Sequence, residues 1–272
     1  MTTTSSTSGH WSEIARRWAQ VGPPLRPSAE DVAFYAGVVR QVKSPRALIL
    51  GVTPELYRLP WPRASSVLAA DHTCAMIAAV WPGPREVVMC AQWTDLPLPD
   101  ASRNIVMCDG GMHLLTHPDA QRKLAQELRR VIGPGGLCVL RLFVPPPVRE
   151  SGDQVLDDLL ALRIANLNVL KLRLGMALQE NAEQGVELRL IYDVIAKLAP
   201  TLNELADRLG WAREHLLAVE SYRDSRTRYH FVTMAEVVDL FCQSAGGFTV
   251  EKTQGTAHER CRFLVLRRRE DE

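Results

Sequence analysis

The chain has 272 residues, 46% of them hydrophobic, and its 32 basic residues nearly balance its 31 acidic residues. The length allows one large core with a sub-domain, and the charge balance argues against a nucleic-acid or membrane-surface partner. The Thr- and Ser-rich start lacks the basic and apolar parts of a secretory signal, and no apolar run approaches a membrane span. We therefore expect a cytoplasmic protein with a small neutral substrate.

Two helices are predicted before the first strand. Apolar residues recur at helical spacing over residues 10–20, namely Trp11, Ile14, Ala15 and Trp18. Ser28, followed three residues later by Asp31, is typical of a capping box that begins a second helix over 29–42. We expect both helices to pack on the sheet edge or to roof a ligand site, with the two tryptophans as packing residues.

The next stretch has the order of a nucleoside-binding βαβ unit. An apolar run over 47–51 ends at Gly51, and Thr53 then supplies an N-cap for a short helix. A second apolar run over 66–70 ends at Asp71. In such units the backbone approaches the ligand at the glycine, and the acid accepts hydrogen bonds from ribose hydroxyls.

Further strands alternate with helices, which predicts an α/β fold with a doubly wound, mostly parallel, Rossmann-like sheet and right-handed crossovers. The remaining strands are predicted at 86–91, 104–108, 137–144, 247–251 and 261–267, and the helices at 54–59, 73–81, 117–131 and 233–244.

A helical insertion interrupts this alternation. Helices are predicted at 153–179, 186–198, 202–209 and 212–219, and such insertions commonly build a substrate pocket. The leucine-rich segment 153–179 has apolar residues on more than one face, so we expect it to pack on the core and on either another lid helix or the second subunit of a homodimer. We predict four parts: an N-terminal helical segment 1–46, a core 47–150, a helical lid 151–232, and a closing helix and strand pair 233–272.

The six cysteines show no metal-ligand spacing and are predicted to be buried thiols; they are Cys74, Cys90, Cys108, Cys138, Cys242 and Cys261. We predict no metal site.

The order of elements resembles a class I S-adenosylmethionine-dependent methyltransferase over about 47–144 and over the closing strand pair at about 248–267, whose last strand is expected to be antiparallel. The best carriers of the resemblance are Asp71, the Gln92-Trp93 pair before Leu-Pro-Leu, and the string 128–136, Leu-Arg-Arg-Val-Ile-Gly-Pro-Gly-Gly, which leads into the fifth strand. The resemblance implies binding of S-adenosylmethionine, with S-adenosylhomocysteine as product. It also implies in-line methyl transfer to a small molecule or short peptide under the lid.

The resemblance assigns cofactor contacts position by position. Gly51 matches the first glycine of the cofactor loop, Asp71 the ribose acid, Gln92 the acceptor of adenine's amine, and Trp93 the backbone amide that meets adenine. Strand four ends beside the reacting methyl group, at Asp109 and Gly110. The other assigned contacts are Thr53, Glu55 and His72.

The cofactor loop departs from the family pattern. The chain has Ile49, Thr53 and Glu55 where the family has an acid and two further glycines. The methionine ammonium of the cofactor therefore lacks its usual carboxylate relay, unless Glu55 or Asp109 supplies one.

Two residues are the candidate general bases, Asp109 and His113, because both should lie at the carboxyl end of a central strand. Trp61, Arg141 and Tyr222 are the candidate substrate contacts. Arg141 is a charge within a buried strand and must find a partner, which we expect to be an acidic group of either the substrate or the lid.

Two alternatives remain open. The altered cofactor loop is also compatible with a non-catalytic methyltransferase-like protein that binds a nucleoside ligand or a partner protein. The pattern of segment 201–211 resembles a helix-turn-helix. A DNA-binding module of this kind needs a basic second helix, whereas 212–220 contains both acidic and basic residues, which argues against DNA binding.

Overall fold

A computed structural model describes residues 11–244 and 246–270 and contains one large sheet and one two-stranded ribbon. The strands are β1 Arg46–Leu50, β2 Ser66–Asp71, β3 Val88–Cys90, β4 Arg103–Asp109, β5 Ile132–Phe143, β6 Val186–Glu187, β7 Arg228–Tyr229, β8 Phe248–Gly255 and β9 Cys261–Arg268. The large sheet has the order β3-β2-β1-β4-β5-β9-β8, and the ribbon pairs β6 with β7.

Helices cover both faces of the sheet and build the lid. They are α1 over 11–16, α2 Ala29–Val39, α3 Pro54–Tyr57, α4 Cys74–Val80, α5 Asp119–Val131, α6 Gly152–Leu160, α7 Leu167–Leu178, α8 Leu188–Ala196, α9 Leu202–Leu209, α10 Arg213–Leu217 and α11 Met234–Asp239, which continues as a π-helix Leu240–Ser244. Short 3₁₀ helices lie at Trp18–Gln20, Arg85–Val87, Met112–Leu114 and Ala218–Tyr222.

The register confirms the predicted doubly wound sheet. Strands β1 to β5 pair in parallel, and β9 runs antiparallel between β5 and β8. Leu48 lies at the centre, opposite Leu68 on one side and Val106 on the other. Strands buried on both faces read as continuous apolar runs, which explains why 47–50 contains no polar residue.

The predicted element bounds shift by one to three residues in most places. The capping box at Ser28 and Asp31 is present, and α2 ends at Val39 rather than at residue 42. His10, which began the first predicted helix, lies outside the described residues. Strand β8 extends to Gly255, four residues beyond its predicted end.

The lid differs more from the prediction. The single helix expected over 153–179 is two helices, because Leu162 turns the backbone with a φ of 58° and the Asn166 side chain caps α7 by accepting from the Val169 N–H at 3.0 Å. The ribbon of β6 and β7 was not predicted, since each strand has only two residues. Leucines of α7 on several faces are buried against other lid helices, so the chain itself covers the surface that suggested a second subunit.

The cysteine prediction holds for four residues. All six thiols are free, but Cys74 and Cys90 are exposed, because they lie at the edge of the sheet where α4 and β3 face solvent. Among the described residues no helix combines the length and apolar character that a membrane span requires.

Candidate active site

One large cleft lies at the carboxyl ends of β1, β2 and β4, between the sheet, the N-terminal segment and the lid. It encloses about 1110 Å³ and is open to solvent. Clefts at the carboxyl edge of an open parallel sheet are the usual ligand sites of this architecture. Nine of the sequence-predicted site residues line it: Gly51, Thr53, Asp71, His72, Trp93, Asp109, Gly110, His113 and Tyr222.

The cleft wall at the ends of β1 and β2 consists of a sharp backbone turn and one acidic side chain. Gly51 has a φ of 92°, and its N–H donates to the Ala70 carbonyl at 2.8 Å, so the chain turns away sharply after β1. Asp71 follows on β2; its carboxylate accepts from the Thr73 N–H at 2.7 Å. Burial raises the pKa of Asp71, and the Thr73 amide partly opposes that shift. A buried acid on a cleft wall suits hydrogen bonding to sugar hydroxyls.

Two glycines after β4 let the backbone approach the cleft closely. A Cβ at Gly110, whose φ is 62°, would lie 2.7 Å from the Phe143 ring. A Cβ at Gly111 would lie 2.6 Å from the Cys108 sulfur and 2.8 Å from the Trp93 ring. Only glycine fits at either position without a shift of its neighbours. These two glycines therefore allow the backbone after β4 to pack directly against the neighbouring side chains.

Trp93 enters the site differently from the sequence interpretation. The resemblance assigned a backbone amide to this position, whereas in the structure the buried indole itself lines the cleft and donates to the Ala70 carbonyl at 2.8 Å. A Cβ at Gly51 would lie 3.6 Å from this ring. The indole therefore forms a flat floor beneath the turn at Gly51.

Asp109 is held by a buried ion pair. Arg141 donates to both carboxylate oxygens, from Nε at 2.5 Å and from Nη2 at 2.9 Å, and Tyr35 donates its hydroxyl at 3.2 Å. The two side chains of the pair are 1% and 2% exposed. Burial alone would lower the pKa of Arg141, but the charge and the hydrogen bonds of Asp109, with smaller contributions from Cys261 and Tyr35, together offset it and raise the pKa. Asp109 therefore faces the cleft as a fixed anion.

His113 lies in an aromatic cage on the cleft wall. Its ring stacks on Phe231 at 5.3 Å, meets Tyr229 edge-on at 4.5 Å and approaches Phe143 at 5.0 Å between centroids. Burial, with a smaller contribution from His230, lowers the pKa of His113 to about 3. The imidazole is therefore neutral at neutral pH, and its Nδ1 has no hydrogen-bond partner among the described residues.

The depressed pKa of His113 predicts a pH-dependent loss of stability. The unfolded chain binds a proton near pH 6.5 and the folded chain does not, so stability is complete above that pH and falls as the pH drops. For His113→Phe, which keeps a ring in the cage, we expect the difference in unfolding free energy between pH 7 and pH 5 to shrink by about 2 kcal/mol. Urea denaturation at both pH values measures it. An unchanged difference would show that His113 protonates while folded.

Four predicted site residues lie outside the cleft wall. Glu55 forms an ion pair with Arg26, whose Nε donates to the carboxylate at 2.9 Å. The acid that was predicted to meet the cofactor ammonium is therefore already paired inside the protein. Trp61 donates its indole N–H to the carbonyls of Leu56 and Tyr57 and packs on the sheet core. Neither side chain lines the cleft, and both assignments stay predictions.

Gln92 and Arg141 also lie off the wall. The Gln92 side chain is exposed in the loop after β3. Arg141 lies behind Asp109, where its Nη1 also donates to the Pro24 carbonyl at 3.0 Å. The partner that a charge in a buried strand requires is thus inside the protein, and Arg141 is not an anchor for a substrate acid.

The N-terminal segment covers the cleft, which is one of the two positions predicted for it, the other being the edge of the sheet. Trp11 and Trp18 line the opening as well as packing on the core, and Glu13 pairs with Arg17 at 2.6 Å along the same edge. The guanidinium of Arg26 lies 4.9 Å over the Trp18 ring. This segment adds one acid, Glu13, that sequence reasoning did not place at the site.

The lid supplies residues that the sequence interpretation missed. Asn168 and Lys171 of α7 line the cleft opposite the sheet, with Tyr222 and Tyr229 beside them. A signal for this wall was present, because two polar residues three positions apart share one face of an otherwise leucine-rich helix. That face is turned to the cleft.

Within residues 11–244 and 246–270 no three His, Cys, Asp or Glu side chains are grouped to hold a metal ion. The close glycines and the buried acid at β2 fit a nucleoside group, and the two polar side chains of α7 fit a second ligand across the cleft. The cleft therefore has two chemically distinct walls.

Comparison with known proteins shows that the core is similar to one protein family. Residues 48–140, about a third of the chain, match the family model described as a methyltransferase domain. This segment runs from β1 into β5 and contains Gly51, Asp71 and Asp109. No curated protein matches the chain by sequence.

Solved structures share the fold along almost the whole chain. A protein from Rhodobacter sphaeroides described as a Zn-dependent alcohol dehydrogenase is 17% identical, with a TM-score of 0.66 over 98% of this chain and 100% of that one. A chain of the Haloferax volcanii complex between the Trm112 methyltransferase activator and a methyltransferase is 10% identical, with a TM-score of 0.54 over 96% of both chains. An S-adenosylmethionine-dependent methyltransferase from Mesorhizobium loti is 14% identical, with a TM-score of 0.50 over 89% of this chain and 99% of that one.

Proposed function

We propose that this chain is a class I S-adenosylmethionine-dependent methyltransferase, because its residues 48–140 match a methyltransferase domain. The methyl group would go to a small molecule or short peptide held between the sheet and the lid. The observation that carries this proposal is the pairing of two different walls around one cleft. Glycine backbone and Asp71 form the wall on the sheet side, and Lys171 and two tyrosines form the wall on the lid side. A cofactor and an acceptor need such a division.

The sheet wall would hold the nucleoside part of the cofactor. Asp71 would accept from the ribose hydroxyls, and the turn at Gly51 would lie against the adenosyl and methionine groups. Thr53, whose hydroxyl makes no capping bond to α3, and His72 border the same wall. When bound, the cofactor supplies a methyl group on a positively charged sulfur, which an acceptor lone pair displaces in line.

The chain itself contributes position and exclusion of water. The N-terminal roof and the lid enclose the acceptor side, and alignment of the reacting atoms is a large part of catalysis in such transfers. Asp109 is fixed by Arg141 and Tyr35, so it contributes a constant negative charge beside the site rather than a proton acceptor.

The base, where the acceptor needs one, is His113 in this proposal. Its ring lines the cleft and is neutral at neutral pH, so it could accept a proton from an acceptor hydroxyl or amine. Its low pKa makes it a weak base. A carboxylate acceptor needs no base at all.

Binding of the cofactor tests the proposal most directly. We expect calorimetric titration to show that S-adenosylmethionine and S-adenosylhomocysteine bind, and that Asp71→Ala weakens both by about tenfold or more, since a charged hydrogen bond contributes about 1.5 to 3 kcal/mol. Asp71→Asn should retain part of the affinity because the amide still accepts one bond.

Asp95→Ala is the matched control, because it removes an exposed acid from a nearby loop off the cleft wall. It should bind both compounds like the unaltered protein. No heat and no thermal shift from folded protein would contradict cofactor binding in this cleft. It would favour instead a protein that recognises a partner through the lid.

A further inference from the structure

We propose that the acceptor is an organic acid with an apolar or aromatic body, and that Lys171 binds its anionic group. This inference rests on the proposed function, because it names the class of acceptor for the same cleft. It also departs from the expectation of a neutral substrate, which came from the whole-chain charge balance. That balance carries no information about the sign of a single buried charge on one wall.

Lys171 is a buried cation that faces the cleft. It lies on α7, is 8% exposed and lines the wall opposite the sheet. The contact recorded for its ammonium is with the Tyr222 ring, 5.0 Å from the centroid. In the part of the chain that the structure describes, no carboxylate lies within ion-pair distance of it.

The other cations at the site are neutralised inside the protein. Arg17 on the roof pairs with Glu13 at 2.6 Å, and Arg141 behind the wall pairs with Asp109. Of the described side chains on the cleft wall, Lys171 is thus the one cation that lacks a carboxylate partner. The acids of the site have other neighbours, since Asp71 lies on the far wall and Asp109 is already paired.

A lone buried ammonium is costly, and a ligand anion removes the cost. Moving a charge out of water is unfavourable unless a partner compensates it. Here burial lowers the pKa of Lys171 to about 8, because the protein compensates its charge only in part. The face of Tyr222 supplies part of it through a cation–π contact. A ligand carboxylate bound in the cleft beside Lys171 would supply the rest of the compensation.

The surroundings of Lys171 specify the body of the acid. Tyr222 and Tyr229 are hydrogen-bonded to each other through their hydroxyls, so they present ring surface to the cleft. Phe143 and Leu114 extend this apolar surface toward the sheet. A flat or branched apolar group fits these rings, whereas a sugar or a phosphorylated head group would leave its polar atoms without partners.

A series of acids and their neutral amides tests the proposal. The probes are benzoate, phenylacetate, 3-phenylpropionate and 3-indolepropionate, each with the corresponding amide. They are titrated into the protein at pH 7, with and without saturating S-adenosylhomocysteine. We expect at least one acid to bind about tenfold or more tightly than its amide. Lys171→Met should bring that ratio to about one.

Lys197→Met is the matched control, because Lys197 is an exposed lysine at the end of a neighbouring lid helix. It should keep the full acid preference. Lys171→Arg should keep the preference at pH 7, since the guanidinium remains charged. A purely structural role for Lys171 would instead weaken the acid and the amide equally in Lys171→Met.

The pH dependence separates binding from packing. Because the lysine loses its charge above its pKa of about 8, acid affinity should fall about tenfold per pH unit above that value. The amide affinity should stay constant over the same range. In Lys171→Arg the acid affinity should stay constant too, because arginine remains protonated.

The outcomes distinguish this inference from the proposed function. If no acid in the series is preferred over its amide, or if Lys171→Met retains the preference, the inference is wrong, whether or not S-adenosylhomocysteine binds. If the acid preference is present and depends on Lys171 but S-adenosylhomocysteine does not bind, the methyltransferase proposal fails and the anion site stands.

Discussion

Replacing Arg141 with methionine is expected to lower the free energy of unfolding by about 3 to 5 kcal/mol, measured by urea denaturation at pH 7. The change removes the cation that donates to both oxygens of Asp109 and leaves that carboxylate buried with only the hydroxyl of Tyr35. An uncompensated buried charge costs far more than the pair contributes. Since Asp109 lines the cleft, cofactor affinity should fall as well.

Two further variants decide the cause of that loss. Arg141→Met combined with Asp109→Asn removes both charges of this pair, and we expect it to recover part of the stability, because the buried charge of Asp109 is then gone. Recovery stays incomplete because the buried Asp31 carboxylate, 3.7 Å from Arg141, also loses its cation. Arg213→Met breaks an exposed pair with Asp207 and should change stability little, since water screens that pair. If Arg141→Met were no more destabilising than Arg213→Met, the pair at β4 and β5 would behave as a solvated one.

Gly185→Ala is expected to destabilise the protein by about 3 kcal/mol. Gly185 has a φ of 64°, and a Cβ there would lie 2.6 Å from the Tyr229 carbonyl oxygen and 2.8 Å from the His230 ring. Backbone cannot give way as a flexible side chain can, so the ribbon of β6 and β7 must open. Because Tyr229 lines the cleft, acid binding should weaken while S-adenosylhomocysteine binding stays within about twofold.

Gly210→Ala is a control that introduces backbone strain without a steric clash. Gly210 has nearly the same φ, 67°, but a Cβ there would meet nothing within 4 Å. This variant should lose only the left-handed penalty of about 1 to 2 kcal/mol, with unchanged binding of both ligands. Equal losses from the two variants would mean that the ribbon adjusts freely, and the predicted effect on acid binding would then be wrong.

The parts of the site that follow from local chemistry could be predicted from sequence. The strand, turn and acid around Gly51 and Asp71 lie within one short unit, so composition and spacing place them without knowledge of the rest. The fold class followed in the same way from the alternation of apolar runs and helices. No long-range contact had to be known for either inference.

The pairing of Arg141 with Asp109 could not be predicted in the same way. Both residues stood out as charges near strand ends, yet their meeting depends on the register of β4 against β5, which shifts between Arg103 and Ile105. One residue of slip would turn the guanidinium to the other face of the sheet. Spacing along the sequence does not determine such a shift.

The lid itself was predicted, but its polar wall and the break before α7 were not, for a related reason. Lys171 lies in a run of leucines whose buried faces cannot be ranked until the helices are packed, so its approach to the cleft was not foreseen. The break before α7 depends on a left-handed backbone conformation at Leu162. Leucine rarely adopts this conformation, so the sequence does not predict it.

The position of β9 in the sheet has a consequence for folding kinetics. This strand pairs with β5 through partners such as Leu137 and Arg267, which are far apart in sequence, and the whole lid must be spanned before they meet. Phe263 of β9 also packs edge-on against Tyr35 of α2 at 5.0 Å. Closing such long loops is slow, so the ligand cleft should be one of the late features to form during refolding, after the parallel strands have already collapsed.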